Sequence, residues 1–218
     1  MKNLNIINHP VVSHKLNTMR KKETSSEDFR RLAREVSQLL AFEVTKSIPV
    51  KEQKIETPVS PMKASFIEED SLAIVSILRA GNGILDGILD VVPMAGVGHV
   101  GLERDPKTLE AKEYYYKVPK NMSDRFVMLV DPMLATGNSA IAALEKLMKE
   151  KPKKICFVCL LAAPEGVKAL HDKFPDIEIF TAALDEKLNE KSYIVPGLSS
   201  SIIGLVLVLP IFVLQLRK

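Results

Sequence analysis

The chain has 218 residues, of which 46% are hydrophobic and 26% are charged, and this suits one globular α/β domain spanning residues 1–218. A net charge of +3, and an aromatic fraction of 6% without tryptophan, argue against a nucleic-acid-binding platform. Residues 1–5 are polar and charged, so we expect no signal peptide and a cytoplasmic protein.

The first third of the chain predicts helices followed by an arm. Residues 11–16 predict a short strand or turn that leads into a basic helix. Ser25 or Ser26 caps a helix through about residue 41, because its apolar positions recur every three or four residues. Residues 46–70 are rich in charge and interrupted by prolines, and they predict a hairpin or arm.

Strands and helices then alternate to the end of the recognisable pattern. Apolar runs predict strands at 72–78, 97–102, 126–130, 154–162 and 177–183. Helical spacing predicts helices at 84–89, 140–149 and 164–174, and the polar residues 103–124 predict a flexible hairpin. This alternation predicts a central parallel sheet flanked by helices, with ligands at the carboxyl ends of the strands.

The two cysteines do not predict a metal or redox site. Cys156 and Cys159 are spaced C-x-x-C, but both fall inside the predicted strand at 154–162. An odd separation places their side chains on opposite faces of the sheet, so we expect two buried, reduced thiols. The four histidines share no spacing typical of metal ligands, and we assign no metal-binding residues.

The most informative segment follows the predicted strand at 126–130. It consists of Asp131, Pro132, Met133, Leu134, Ala135, Thr136, Gly137, Asn138 and Ser139. Three small polar side chains and a glycine lie directly before a predicted helix, whose N-terminal N–H groups and positive dipole end attract an anion. This arrangement predicts a phosphate site. Asp131 stands at the strand tip, where it can accept hydrogen bonds from sugar hydroxyls, so the ligand class is a ribose 5-phosphate.

A second candidate is Arg79, at the end of the predicted strand 72–78. The glycine-containing turn after it supplies backbone N–H groups beside the cation, which suits pyrophosphate. The alternative is an arginine that forms a salt bridge to a neighbouring helix. Residues 114–116 are consecutive tyrosines, which are either a lid edge or aromatic packing on an edge strand.

The 131–139 loop resembles the motif with which phosphoribosyltransferases bind 5-phospho-α-D-ribose 1-diphosphate (PRPP). Its form DPMLATG resembles the uracil phosphoribosyltransferase family. Further segments stand in the family's order and approximate spacing, namely 77–81, 101–104, 162–166 and 193–198. The resemblance implies a type I phosphoribosyltransferase fold, with a central parallel sheet, flanking helices and a flexible hairpin or arm.

The resemblance also implies an activity, in which uracil and PRPP give UMP and diphosphate in pyrimidine salvage. Catalytic residues would be Asp131, Arg79 and Arg104, and PRPP would contact both arginines and the whole 131–139 loop. For Arg104 the alternative is a solvated surface charge. Mg²⁺ would accompany the diphosphate, GTP is implied as a possible allosteric activator, and the protein would form a homo-oligomer, a dimer or higher.

The family's uracil site falls where this chain departs from the pattern. Ile194 matches the family, and the positions that would contact uracil next are Ser199, Ser200 and Ser201, without the family's acidic residues. Backbone contacts to a base survive such a change, whereas a carboxylate contact does not. We therefore expect impaired uracil turnover, or one of two alternatives: a phosphoribosyltransferase for another base, or a non-catalytic sugar-phosphate-binding relative.

Residues 199–218 form a divergent hydrophobic tail. The apolar run at 202–214 is shorter than the roughly 20 residues of a membrane helix and contains Pro210, so we do not expect a membrane protein. A core or interface strand, a membrane-associating tail, and a tail that replaced the ancestral end through a reading-frame change remain as alternatives. The abrupt loss of similarity and of charge favours replacement.

Overall fold

The computed structural model describes residues 2–104 and 111–199, apart from the side chains of residues 104, 111 and 112. The strands are β1 (Leu4–Ile6), β2 (Lys51–Glu56), β3 (Pro61–Phe66), β4 (Leu72–Leu78), β5 (Gly96–Arg104), β6 (Ala111–Lys117), β7 (Phe126–Val130), β8 (Met133–Leu134), β9 (Lys154–Ala162), β10 (Glu178–Leu184), β11 (Lys187–Leu188) and β12 (Ile194–Val195). The helices are α1 (Pro10–Arg20), α2 (Ser26–Val44), α3 (Asn82–Val91), α4 (Asn138–Leu147) and α5 (Pro164–Lys173).

One large sheet organises these elements. Its strands lie in the order β1, β10, β9, β7, β4, β5, β6, and β8 adds to β9 beyond the end of β7. Every pair is parallel except β5 with β6. The predicted parallel sheet is therefore confirmed, and the carboxyl ends of β4, β7, β9 and β10 share one edge.

Helices cover both faces of the sheet, which explains why the central strands are apolar without alternation. The helices α1, α2 and α3 pack over one face, with Phe29 and Ile88 in the same buried cluster as Ile74 of β4. The helices α4 and α5 pack over the other face, where Leu144 joins Val75. Strands buried on both sides can use every position for hydrophobic contact, and this accounts for the continuous apolar runs in the sequence.

The cysteine prediction is confirmed. Cys156 belongs to the cluster beneath α1, α2 and α3, whereas Cys159 belongs to the cluster beneath α4 and α5. Both are buried free thiols. Burial raises the pKa of each thiol, so neither presents the reactive thiolate that redox chemistry requires.

The predicted strand or turn at residues 11–16 is wrong, because the whole stretch is part of α1. His9 caps the helix by accepting the backbone N–H of Val11 through its side chain, and Pro10 occupies the first helical position. Buried positions recur at helical spacing, at Val12, Leu16 and Met19. The preceding β1 was not predicted. It is a three-residue strand, and no local pattern in the sequence predicts its pairing with β10.

Other boundaries agree with the sequence or extend it. Ser25 caps α2 by accepting the N–H of Asp28 at 3.0 Å, as predicted. The arm at 46–70 is an antiparallel hairpin of β2 and β3. The excursion at 103–124 begins with the end of β5 and returns as β6, so much of it belongs to the sheet. Within residues 2–104 and 111–199, no helix is both long and apolar enough to cross a bilayer.

Candidate active site

The segments that the sequence singles out meet along the carboxyl edge of the sheet. The turn of Arg79 follows β4, and the 131–139 loop follows the neighbouring β7. The 162–166 segment begins with the last residue of β9, and the 185–199 segment follows β10. Arg104 ends β5 on the other side of β4. Parallel pairing thus brings together residues that are far apart in sequence, at the edge where such sheets bind ligands.

The 131–139 loop runs beside β9 after β7 has ended. The carbonyl oxygen of Pro132 accepts the N–H groups of Leu160 and Leu161 at 3.0 and 3.2 Å. The carbonyl oxygen of Leu134 accepts the N–H of Ala163 at 2.9 Å. Backbone hydrogen bonds to a buried strand therefore fix the first half of the loop, and they satisfy groups that would be costly to bury unpaired.

The second half of the loop opens α4 at the sheet edge. Gly137 has φ +84°, a left-handed conformation that glycine adopts without a steric penalty, and it is the N-cap residue of α4. Its lack of a side chain leaves the first N–H groups of the helix without a cap from that residue. Thr136 is half-buried, whereas Asn138 and Ser139 are exposed. The predicted phosphate site therefore has the required backbone geometry and accessible hydroxyl groups.

Gly166, in the first turn of α5, packs closely against the backbone of this loop. A Cβ atom placed on Gly166 would lie 2.4 Å from the carbonyl oxygen of Ala135 and 2.7 Å from that of Leu134. No side chain fits at such distances, so only glycine permits this approach of helix and loop. In the sequence, Gly166 lies within the segment 162–166, which matches the family, but its packing role was not predicted. A glycine inside the first turn of a predicted helix was the available signal for close packing.

The carboxyl group of Asp131 lies where charge is costly. The residue retains part of its exposed surface, yet burial raises the pKa of the carboxyl group from 3.8 to about 8. A hydrogen bond from the backbone N–H of Met133 opposes this shift only in part. Hydroxyl donors or a cation from a ligand would stabilise the ionised form. A carboxyl group with a raised pKa at the carboxyl edge of the sheet keeps Asp131 a candidate for ligand contact.

The turn of Arg79 abuts the end of β7. A Cβ atom on Gly81 would lie 2.6 Å from the carbonyl oxygen of Val130, the residue directly before Asp131. The N–H of Gly81 donates to the carbonyl oxygen of Ile77 at 2.8 Å and closes the turn tightly. The Leu78–Arg79 peptide is cis, and Arg79 is half-buried. The close approach brings the two predicted polar segments together.

Two predictions concern the β5–β6 excursion. The backbone of Arg104 ends β5, but its side chain lies outside the described residues, so its contact with a ligand stays a prediction. Among the tyrosines, Tyr116 packs against the core and donates its hydroxyl to the Glu150 carboxylate at 3.1 Å. Burial, with Glu150 beside it, raises the pKa of Tyr116. Tyr114 and Tyr115 are exposed.

The 185–199 segment lies at the end of β10. Ile194 is buried in β12, opposite Leu188 of β11. Ser199 is buried, and its N–H donates to the carbonyl oxygen of Met19 in α1 at 3.1 Å. Ser200, Ser201 and the tail through residue 218 lie outside the described residues. Of the four predicted uracil contacts, the structure therefore describes two, namely Ile194 in β12 and Ser199 beyond that strand, against α1.

Two residues that the sequence did not predict, Asp185 of this segment and Arg20 of α1, contact each other here. Asp185 directly follows β10, and Arg20 ends α1 and forms an ion pair with it. Removing one partner of a buried ion pair costs about 3–5 kcal/mol, because the other charge is left uncompensated. The position of Asp185 at the carboxyl end of a predicted strand was the available signal. For Arg20 the sequence contains no comparable signal.

Metal binding at this edge would depend on the ligand. Among the residues that the structure describes, no group of three or more His, Cys, Asp or Glu side chains is placed to hold a metal ion. Asp131 is the single acidic residue of the 131–139 loop. Mg²⁺ is commonly held by one or two carboxylates together with substrate phosphates and water, and this site fits such a metal.

Comparison with known proteins identifies the same family along the sequence. A family model described as uracil phosphoribosyltransferase matches residues 6–201. The chain is 57% identical over 196 residues to the uracil phosphoribosyltransferase of Legionella pneumophila (strain Lens), covering 90% of this chain and 92% of that protein. It is 53% identical over 201 residues to that of Variovorax paradoxus (strain S110), covering 92% and 96% respectively.

Solved structures agree with this similarity. A protein structure from Aquifex aeolicus matches with a TM-score of 0.87 at 39% identity, covering 93% of this chain and 97% of that one. A hypoxanthine phosphoribosyltransferase from Staphylococcus aureus matches with a TM-score of 0.52 at 15% identity over 84% of each chain, which shows a shared fold alone. The predicted type I phosphoribosyltransferase fold is confirmed, and the chain belongs to the uracil phosphoribosyltransferase family.

Proposed function

We propose that this chain transfers the phosphoribosyl group of PRPP to uracil, giving UMP and diphosphate in pyrimidine salvage. Membership of the family supports the reaction. The observation in this chain that carries the proposal is that Asp131 follows the strand end against which the turn of Arg79 packs, and belongs to the loop that opens α4. A ribose bound there would have its 5-phosphate on one side and its diphosphate on the other.

The 5-phosphate would bind at the start of α4. The N–H groups of residues 137–139 and the hydroxyl groups of Thr136 and Ser139 are the proposed donors, and the positive end of the helix dipole adds to their effect. The remaining loop residues, Pro132, Met133, Leu134, Ala135 and Asn138, shape the backbone around the sugar phosphate. Gly137 adopts the left-handed conformation with which the loop enters α4, and a Cβ atom there would lie 3.1 Å from the carbonyl oxygen of Gly166 in α5.

The reaction forms a bond between a uracil nitrogen and C1 of the ribose and breaks the bond from C1 to the diphosphate oxygen. The electron pair leaves with the diphosphate, and the proton of the uracil nitrogen is released. Positive charge builds at C1 in the transition state, and the ionised carboxylate of Asp131 would stabilise it while orienting the ribose hydroxyl groups. Arg79 and Arg104 would neutralise charge on the departing diphosphate.

We propose that Mg²⁺ enters with the diphosphate, since one nearby carboxylate suits an ion whose other ligands come from phosphate and water. When bound, Mg²⁺ neutralises charge on the leaving group. Uracil would contact Ile194, Ser199, Ser200 and Ser201, chiefly through backbone groups, because the serine side chains cannot replace a carboxylate. The chain's own residues thus supply positioning and electrostatic stabilisation.

A turnover assay with labelled uracil tests the proposal on the full-length chain. UMP formation that depends on PRPP and Mg²⁺ is expected. If no UMP forms but another base is converted to its nucleotide, the chain is a phosphoribosyltransferase for that base. PRPP binding by calorimetry without turnover of any base would identify a non-catalytic relative. A parallel chain with a family-like end grafted after Leu198 measures how far the divergent tail reduces turnover.

Asp131→Asn isolates the charge at the strand tip. We expect turnover to fall by about 100-fold, a typical loss when one electrostatic contact to a transition state is removed. The melting temperature should not fall, because the neutral amide avoids the cost of burying a carboxylate. Steady-state kinetics and thermal melting measure the two effects. Equal turnover in parent and variant would show that Asp131 only caps the loop.

Two finer properties are part of the proposal, namely activation by GTP and assembly into a homo-oligomer, a dimer or higher. Assembly is supported by exposed apolar side chains on the β2–β3 hairpin, where Val59 is 92% exposed and Met62 and Phe66 are also exposed. Sedimentation at several protein concentrations tests assembly. Initial rates with and without GTP test activation, and ATP serves as the control nucleotide.

A further inference from the structure

The 185–199 segment contains little regular structure of its own. Its strands β11 and β12 have two residues each, joined by residues 189–193. The N–H of Glu186 donates to the carbonyl oxygen of Val195 at 3.0 Å, which adds one bond to this short ladder. A two-stranded hairpin of this size is marginal in water without further support. Contacts from outside the segment must therefore fix its conformation.

Arg20 of α1 supplies such a contact, through an ion pair with Asp185, the first residue of the segment. Their side chains form a two-pronged pair, with Nη2 to Oδ1 at 2.6 Å and Nη1 to Oδ2 at 2.9 Å. The side chain of Asp185 is 4% exposed and that of Arg20 is 20% exposed. A planar guanidinium facing a carboxylate in this way fixes orientation as well as distance. The pair joins the end of α1 to the end of β10.

The same pair binds both polar groups of one backbone position, Gly197. The N–H of Gly197 donates to Asp185 Oδ2 at 2.8 Å, and its carbonyl oxygen accepts from Arg20 Nη1 at 2.6 Å. Gly197 has φ +74°, and a Cβ atom there would lie 2.4 Å from the carbonyl oxygen of Ile194. The turn therefore requires glycine, and the ion pair holds it in a single orientation.

This orientation determines where the proposed uracil contacts lie. Gly197 stands between Ile194 and Ser199, and Ser199 is itself tied to α1 through the carbonyl oxygen of Met19. On the other side, the N–H of Asp185 donates to the carbonyl oxygen of Ala162 at 2.9 Å, which anchors the carboxylate residue to the end of β9. The ion pair thus links the sheet edge, α1 and the end of the 185–199 segment at one point.

We propose that Arg20 and Asp185 are positioning residues for the uracil site. They act through the backbone of Gly197, and the inference rests on the proposed function. The reaction needs uracil within bonding distance of C1 of the ribose. Even a small displacement of the 185–199 segment would therefore lower the fraction of bound uracil that is oriented for reaction. The 131–139 loop is held by β9 and α5, so PRPP binding does not depend on this pair.

Two variants test the pair, Asp185→Asn and Arg20→Lys. Asparagine leaves one carboxamide oxygen to serve three donors, and its NH₂ group faces a donor of Arg20. Lysine keeps the positive charge but loses the two-pronged geometry. We expect KM for uracil to rise about tenfold or more in each variant, the scale of losing one hydrogen bond to a charged group. PRPP affinity, measured by calorimetry without uracil, should change by less than about threefold, since that loop has separate supports.

Arg34 and Asp90 provide the matched control. They form an equally short two-pronged pair, with both contacts at 2.7 Å, on the exposed side of α2 and α3. Asp90→Asn and Arg34→Lys make the same chemical changes there. These variants should leave KM for uracil unchanged, because exposed pairs contribute little and this one does not contact the 185–199 segment.

Each outcome decides the inference. If the parent chain uses uracil and the Arg20 and Asp185 variants keep its KM, the inference fails while the proposed function stands. If the variants lose uracil and PRPP binding in equal proportion, or do not fold, the pair supports the whole fold and the inference is wrong. If the parent binds PRPP but not uracil, the proposed function fails and the inference falls with it.

Discussion

The 131–139 loop and the 185–199 segment lie at the same sheet edge but are held in different ways. The loop is continuous with β7 and α4, and backbone hydrogen bonds to β9 fix its path. The 185–199 segment depends on side chains from elsewhere, and Arg20 reaches it from 165 residues away in sequence. One half of the site is thus held by backbone contacts to the adjacent strand and helix, whereas the other is held by side chains from distant parts of the chain.

This difference predicts different sensitivities. Replacing a glycine by a larger residue should distort the 131–139 loop, because the loop backbone is packed closely between β9 and α5. Changes to single side chains should loosen the 185–199 segment, because side chains hold it. Four variants, ordered by expected effect, examine the two halves separately.

Gly137→Val should produce the largest effect, the loss of PRPP binding. A β-branched residue at φ +84° is strained by about 1–3 kcal/mol. Its Cβ atom would also lie 3.1 Å from the carbonyl oxygen of Gly166 in α5, so the loop that binds the 5-phosphate would have to shift. Calorimetric titration with PRPP measures the loss. Gly137→Asn is the graded control, since asparagine tolerates the left-handed region and should retain more affinity. Binding by Gly137→Val at parental affinity would mean that the phosphate binds elsewhere.

Gly166→Ala should lower PRPP affinity by about tenfold, because overpacking of this kind costs about 1–3 kcal/mol and here displaces the loop. The added Cβ atom would meet the carbonyl oxygen of Ala135 at 2.4 Å. Gly87→Ala is a matched control, since its Cβ atom would meet the carbonyl oxygen of Arg34 at the same 2.4 Å between α3 and α2. Both variants should have a lower melting temperature than the parent, but only Gly166→Ala should bind PRPP more weakly.

The pKa of Asp131 predicts how stability changes with pH in the ligand-free protein. The folded-state pKa of about 8 exceeds the value of 3.8 expected when unfolded, so the folded state holds an extra proton between these values. This group's contribution to stability is present below pH 3.8 and is lost progressively until about pH 8. Thermal melting of parent and Asp131→Asn should therefore diverge in favour of the variant as pH rises. A difference that stays constant across this range would contradict the raised pKa.

Glu165→Gln should have the smallest effect. The Glu165 carboxylate accepts the N–H of Leu188 at 2.9 Å and supports β11 from α5, but the residue is exposed. A glutamine oxygen can accept the same hydrogen bond without the charge. We expect KM for uracil to rise by no more than about twofold, with PRPP affinity unchanged. A larger rise would show that the hairpin depends on α5 as much as on the Arg20–Asp185 pair.

The sequence predicted the part of the protein whose signals are local. The strand at 126–130, the loop after it and the helix that follows carry their information in adjacent residues, namely an apolar run, small polar residues with a glycine, and helical spacing. The opposite faces of Cys156 and Cys159 followed from the two-residue period of a strand. Those features were confirmed because strand periodicity and the backbone freedom of glycine do not depend on distant contacts.

Tertiary structure determined the elements and contacts that local sequence patterns could not predict. β1 exists because β10 offers it a pairing edge, and α1 replaced the expected strand or turn because its apolar positions pack on α2. Ser199 is buried against α1, whereas Ser200 and the tail beyond it lie outside the described residues. The contact of Arg20 with Asp185 joins residues from two ends of the chain. The position of Asp185 after a predicted strand is a local signal for a site residue. Nothing in the neighbouring sequence indicates that Arg20 is its partner, because an arginine at the end of a helix is ordinarily a surface residue.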